Sequence, residues 1–261
     1  LKYKKLMQKA QKDFQETGAL HHKNEISKYN NFQMARKIQL NSLYGALANQ
    51  YFRFYDDRIA EGITMSGQLV IRDTAKALDT YMNKVCGTED EMYSFYSDTD
   101  SCYVTCKTLV ENFFPDKDTD KVVGLLDKIA TDKIEPAIAQ AMTKLGNYTN
   151  AFEHKIDFKR EVIADKGVFV AKKRYALNVL DDEGLRLKDP KLKVMGLEIV
   201  RSSTPAPIRD SLKEAVRLIL TSDEEHLQKY IAEAQKHFNT LTAEVSSNWS
   251  CIIFSILRAV S

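Results

Sequence analysis

Residues 92–106 read MYSFYSDTDSCYVTC. The flanks of this stretch, Met92–Tyr96 and Cys102–Cys106, are rich in aromatic, β-branched and small residues that suit a pleated, half-buried surface. The polar segment between them is short enough for a hairpin turn. Asp98 and Asp100, one residue apart, therefore sit at or beside a tight reversal between two strands.

On the N-terminal side, residues 59–85 carry a helical pattern closed at Cys86-Gly87, where glycine can take the left-handed cap conformation. Two more helical runs precede it, residues 1–16 ending at Thr17-Gly18 and about 24–49, with GALHHKN (18–24) as the link; an antiparallel helical hairpin is the economical arrangement. On the C-terminal side, residues 119–145 are helical with a break at Glu135-Pro136. Val162–Val179 and Leu192–Val200 have strand patterns separated by the turn-like DDEG (181–184). After SSTPAP (202–207) the chain is helical to about Ala243, with a capping box at Ser222 and Glu225 dividing it. The expected class is α+β: an antiparallel sheet with packed helices, a helical hairpin before it and helices after it.

Composition narrows the function only a little. With 44% apolar residues over 261 positions the chain can bury a proper core, and a formal net charge of +2 does not by itself announce a partner for nucleic acid. The four cysteines (Cys86, Cys102, Cys106, Cys251) form no C-x-x-C pair and have no histidine at zinc-ligand spacing, so reduced thiols and no zinc site are expected. No stretch approaches the ~18 consecutive apolar residues of a membrane span, and the reading is a soluble, cytoplasmic protein. The chain starts at Leu1 inside a lysine- and glutamine-rich helical pattern, which reads as the interior of a longer protein.

Three motifs carry chemistry, each with a plainer alternative. The aspartate pair is either a solvated Asx-type turn or a set of hard oxygen ligands suited to magnesium. A calcium loop is excluded, because counting from Asp98 the sixth position is Tyr103 rather than glycine and the twelfth is Leu109 rather than glutamate. In KIQLNSLYG (37–45), Lys37, Asn41 and Tyr44 share one helix face, while Leu40, Leu43 and Leu47 form an apolar stripe expected to pack. That polar face either holds a phosphate and stacks a base, or is simply solvated. Gly45 inside a helix hints at the close approach of something. In AKKRYAL (171–177), strand alternation places Lys172 and Arg174 on one face and Lys173 with Tyr175 on the other; the choice is a nucleic-acid contact or a basic edge strand that discourages aggregation.

In this order and with these gaps, KIQLNSLYG, YSDTDS and KKRY resemble three signature motifs of family B DNA polymerases. ARKIQLNSLYGALANQYFRFYD (35–56) and MGLEIVRSSTP (195–205) resemble the T-even-like phage replicative branch in particular. The resemblance covers about Leu1–Glu244. It implies the C-terminal part of the fingers at 1–49, palm at 50–201 and the start of a thumb at 202–261.

It further implies DNA-directed DNA synthesis with two magnesium ions, the substrates being primer-template DNA and deoxynucleoside triphosphates. Asp100 would be a direct metal ligand and Asp98 a less direct one. Lys37 would bind the triphosphate, with Asn41, Tyr44 and Thr99 beside it, and Lys172, Lys173, Arg174 and Tyr175 would grip the DNA. Closure of the fingers would bring the Lys37 face onto the nucleotide. A sliding clamp reached through the missing C-terminus and the cytoplasm of an infected bacterial host complete the implied setting. The family's other metal-binding aspartate lies in a motif ending SLYPS. The only SLY here is Ser42–Tyr44, followed by Gly45, so the chain alone is expected to be inactive. Val245–Ser261, with Arg258 as the single charge from Trp249 to Val260, reads as a non-native tail of the kind a frame error produces. A non-catalytic nucleic-acid-binding fragment is the alternative, and independence from metal would distinguish it.

Overall fold

The computed structural model describes residues 2–115 and 118–239. The expectation about Val245–Ser261 lies outside these residues. The described chain divides into two compact units, residues 2–113 with 134–158, and residues 114–133 with 159–239.

The first unit opens with helices α1 (Lys2–Thr17) and α2 (Leu20–Leu47). They form the expected antiparallel pair: Gly18 reverses the chain at φ 67°, and Tyr3 near one end meets Phe32 with ring centroids 5.2 Å apart. The link is only Gly18-Ala19, shorter than the seven-residue GALHHKN, because Leu20–Asn24 contains no helix breaker and simply joins α2.

Helix α3 (Asp57–Cys86) starts at Asp56, whose side chain accepts the Arg58 N–H, and ends at Gly87 in the left-handed conformation. Its Thr74, Leu78 and Met82, four residues apart, are buried in one line. Strands β1 (Ser94–Asp98) and β2 (Ser101–Val104) pair antiparallel, and α4 (Lys107–Phe113) follows. Leu78 packs with Ile138 and Met142 of α6 (Glu135–Tyr148), and Cys102 and Val104 of β2 join the same core.

In the second unit, α5 (Thr119–Ile129) runs into a π-helical turn at Ala130–Ile134. The expected break falls here because Pro136 has no N–H and its ring crowds the carbonyl four residues back, a conflict that a wider turn relieves. Strands β3 (Val162–Ala171), β4 (Arg174–Asp182) and β5 (Leu185–Met195) form an antiparallel meander. The strands thus fall into two separate antiparallel sheets within an α+β chain.

Glu183 and Gly184 form a two-residue reversal with both φ positive (54° and 83°), the geometry favoured in tight hairpins. β5 starts earlier than the sequence pattern indicated and tolerates Pro190 because it is an edge strand. Residues 187–190 bulge between the Val179–Lys191 and Asp181–Arg186 pairs, where no ladder hydrogen bond is required. The last part of the expected strand is instead a 3-10 turn at Glu198–Val200.

Helices α7 (Ala206–Thr221) and α8 (Glu224–Asn239) complete the unit, and Ile208, Leu212, Val216 and Leu220 of α7 pack with Ala176, Leu197 and Ile199. The cap of α8 lies one residue beyond the expected Ser222: Asp223 accepts the His226 N–H at 3.0 Å. Arg160 donates to both Asp127 and the buried Asp181, which clasps α5 to the sheet.

Candidate functional site

The aspartate turn is held from below. On α3, the Asp79 carboxylate accepts three hydrogen bonds from the base of β1: Tyr93 N–H at 3.0 Å and Ser94 N–H at 2.7 Å on Oδ1, and Ser94 Oγ–H at 2.8 Å on Oδ2. One helical turn on, Asn83 Nδ2 donates to the Glu91 carbonyl, and its Oδ1 accepts from Glu91 N–H and Thr88 Oγ–H. Tyr93 is wholly buried with its hydroxyl 2.8 Å from Thr88 Oγ1, and its carbonyl accepts Thr105 N–H from the other side of the hairpin. The spacing of Asp79 and Asn83 puts both on one face of α3, so a single helix fixes the hairpin base. No motif marks them in the sequence, because an Asp and an Asn in the last turns of a helix look like ordinary solvated side chains until the chain returns to Tyr93, 14 residues beyond Asp79.

At the tip, Asp98 pairs with Ser101 across the ladder, leaving Thr99-Asp100 as the reversal. Thr99 has φ 56°, a conformation strained for a β-branched residue. The Asp100 N–H donates to the Asp98 carbonyl at 2.7 Å, Ser101 Oγ–H donates to the same carbonyl at 3.1 Å, and Thr99 Oγ–H donates to Asp98 Oδ1 at 3.1 Å. Tyr96 and Tyr103 meet edge to face across the strands, 5.5 Å between centroids.

Among the described residues the Asp100 carboxylate is exposed and takes part in no hydrogen bond or ion pair, while Asp98 is half-buried. Two hard carboxylates on an over-determined turn fit an oxygen-seeking cation such as magnesium. Cys102 beside them offers no thiolate: burial, and then the charge of Asp79, push its thiol up to about 11. Burial, and then Cys86, do the same for Cys106.

On α2, Lys37, Asn41 and Tyr44 share one exposed face. The neighbouring stripe does not pack as expected: Leu40 is 70% and Leu43 54% exposed, and α2 has no buried residue. A Cβ placed on Gly45 would meet nothing within 4 Å, so packing within this chain does not demand the glycine. Helix α3 touches both α2 and the β1-β2 hairpin, so the lysine face and the aspartate turn belong to the same unit.

The third motif lies in the second unit, and its geometry differs from simple alternation. Lys172 and Lys173 are not strand residues; they form the turn between β3 and β4, with Ala171 paired to Arg174 and Lys173 at φ 63°. No glycine or asparagine marks that turn. Its conformation is fixed from 23 residues away by Gly196, itself at φ 63°, where a Cβ would lie 2.0 Å from the Lys173 carbonyl oxygen.

Both turn lysines are exposed. Arg174 is drawn inward to Glu198, which it reaches at 3.0 Å and which also pairs with Arg201. Tyr175 is 4% exposed and stacks on Phe169 at 5.3 Å between centroids. The turn thus presents two cations, with the arginine and tyrosine behind it engaged by the protein.

The first unit thus presents a rigid carboxylate turn and an exposed lysine–asparagine–tyrosine helix face, and the second a basic hairpin tip. Residues 2–113 match the family described as DNA polymerase family B, and residues 91–247 match Divergent Family B DNA polymerase. The chain belongs to DNA polymerase family B.

It is 42% identical over 226 residues to the DNA-directed DNA polymerase of Enterobacteria phage T4, covering 83% of this chain and 25% of that protein. It is 43% identical over 202 residues to the DNA-directed DNA polymerase of Escherichia phage RB69, covering 74% and 22%. DNA polymerase II of Escherichia coli K12 is 26% identical over 226 residues, 83% of this chain and 25% of the relative. The chain spans about a quarter of the length of these curated relatives.

Proposed function

We propose that the chain is the catalytic-palm portion of a replicative DNA-directed DNA polymerase. It would comprise the C-terminal fingers (1–49), the palm (50–201) and the start of the thumb (202–261). The observation that carries this reading is the Asp98–Thr99–Asp100 turn, strained at Thr99 and locked at its base by Asp79.

Asp100, exposed and without a partner among the described residues, is the direct ligand for two-magnesium nucleotidyl transfer, and Asp98 supports it from the half-buried side. Magnesium, when bound, supplies the Lewis-acid charge that neutralises the phosphoryl oxygens of the reaction. Lys37 pairs with the triphosphate of the incoming nucleotide, Asn41 and Thr99 orient it, and Tyr44 packs at the nascent base pair. The space around Gly45 leaves room for that approach.

Lys172 and Lys173 neutralise backbone phosphates of the primer-template, and Arg174 and Tyr175 hold their turn in place. The 261 residues alone do not extend a primer, because the second carboxylate motif of the family is not among them. The resemblance extends the proposal to a sliding clamp as protein partner and to the host cytoplasm as the place of work. Among the described residues, no helix is long and apolar enough to cross a membrane.

The test separates the two kinds of cation. Fluorescence anisotropy with primer-template DNA across a salt series should show affinity falling about tenfold in Lys172→Ala/Lys173→Ala, with a shallower salt slope. Lys37→Ala should leave DNA affinity unchanged. Equal loss in both variants, or a salt slope unaffected by the turn lysines, would overturn the assignment of DNA contact to the β3-β4 turn.

A further inference from the structure

Among the described residues, one group of three side chains brings metal-ligating donors of different residue types together: His21, His22 and Glu25 in the first turns of α2. One nitrogen from each imidazole and one Glu25 carboxylate oxygen all lie within 4.8 Å of one another. Helical geometry explains the convergence, since positions i, i+1 and i+4 fall within an arc of about 100° on one turn. His22 Nδ1 is 3.1 Å from Glu25 Oε2, the His22 side chain is only 16% exposed, and the two imidazole rings lie with centroids 3.8 Å apart. An ordinary His–Glu hydrogen bond accounts for His22 and Glu25. It does not account for His21, whose ring lies over that of His22.

We propose that His21, His22 and Glu25 bind a divalent zinc-class ion, at a site separate from the aspartate turn. Two imidazoles and one carboxylate are a borderline donor set that suits zinc, cobalt or nickel and not magnesium, which prefers oxygen alone. Tetrahedral zinc with bonds of about 2.0–2.1 Å needs its ligand atoms roughly 3.4 Å apart. Side-chain rotation within one helical turn covers the difference from 4.8 Å. Three ligands from the chain leave at least one position for water. The bound ion ties the opening turns of α2 together directly after the Gly18-Ala19 reversal and stiffens that end of the α1-α2 pair. The cysteine spacing gave no sign of it, because the ligands come from one helix turn and include no thiol.

The test is titration of the full chain, without a histidine tag, with zinc against a chromophoric chelator and with cobalt as a spectroscopic probe. One zinc per chain with micromolar affinity is expected. His21→Ala, His22→Ala and Glu25→Gln should each weaken it at least tenfold with the circular dichroism spectrum unchanged, and Asp100→Ala should leave it as it was. Cobalt should give visible bands that disappear in His21→Ala/His22→Ala. Zinc uptake that survives in the double variant, or affinity no better than millimolar in the unaltered chain, would overturn the site.

Discussion

At the scale of single residues, Asp79 and Asp100 make a contrasting pair. Asp79 answers three donors at the hairpin base, and Asp100 answers none among the described residues. Replacing Asp79 by alanine strands two backbone N–H groups and a hydroxyl. The expected loss of stability is about 2–3 kcal/mol, since each donor left without a partner costs about 1–3 kcal/mol and water reaches part of the site. Asp100→Ala, at an exposed tip, should stay within about 0.5 kcal/mol of the parent. Urea unfolding of the two variants measures both, and similar losses would contradict the division between a carboxylate that supports the hairpin and one that stands exposed at its tip.

The buried thiols give a second outcome. Cys102 and Cys106 are raised from 9.0 to about 11, mainly by burial, so between those values the unfolded chain has released protons that the folded chain still holds. Stability is therefore unaffected by these groups below pH 9 and falls as pH rises from 9 towards 11. Cys102→Ala/Cys106→Ala should flatten that alkaline decline in a pH series of melting temperatures. An identical slope would mean the thiols are not shielded.

At the scale of elements, the β3-β4 turn depends on a residue that no local pattern connects to it. Gly196→Ala forces an L side chain to φ 63° at roughly 1–2 kcal/mol and drives its Cβ into the Lys173 carbonyl. We expect the turn to shift, and primer-template affinity in an anisotropy titration to fall at least as far as in Lys173→Ala; unchanged affinity would show that the turn does not need this support. The same turn shows where sequence reading reaches its limit. Gly18, Gly87 and Gly184 announce their reversals because glycine suits positive φ, so α1, α2, α3 and the β4-β5 hairpin were legible. Lys172-Lys173 carries no such mark, which is why it reads as continuous strand. The Asp98–Asp100 turn was legible from its flanking aromatics, whereas its foundation on Asp79, Asn83 and Tyr93 was not, because those contacts span 8 to 15 residues and join a helix face to the start of β1 and the loop before it. The apolar stripe of α2 was correctly seen and wrongly covered: Leu40 and Leu43 obey helical spacing but are 70% and 54% exposed.

At the scale of the whole molecule, large apolar side chains stand open on α2 and the first half of α3, with Ile38, Leu40, Ile63 and Met65 all about half exposed or more. The central claim, that this chain supplies the magnesium-binding turn of a polymerase, is tested most directly by replacement. Residues 2–239 are exchanged for the matching segment of the T4 phage relative, and single-turnover primer extension is measured with magnesium. The account predicts template-directed extension by the chimera and a loss of at least about a thousandfold in its Asp100→Ala variant, with Asp98→Ala milder and primer-template affinity retained in both. A folded, DNA-binding chimera whose extension rate is indifferent to Asp100 would contradict it.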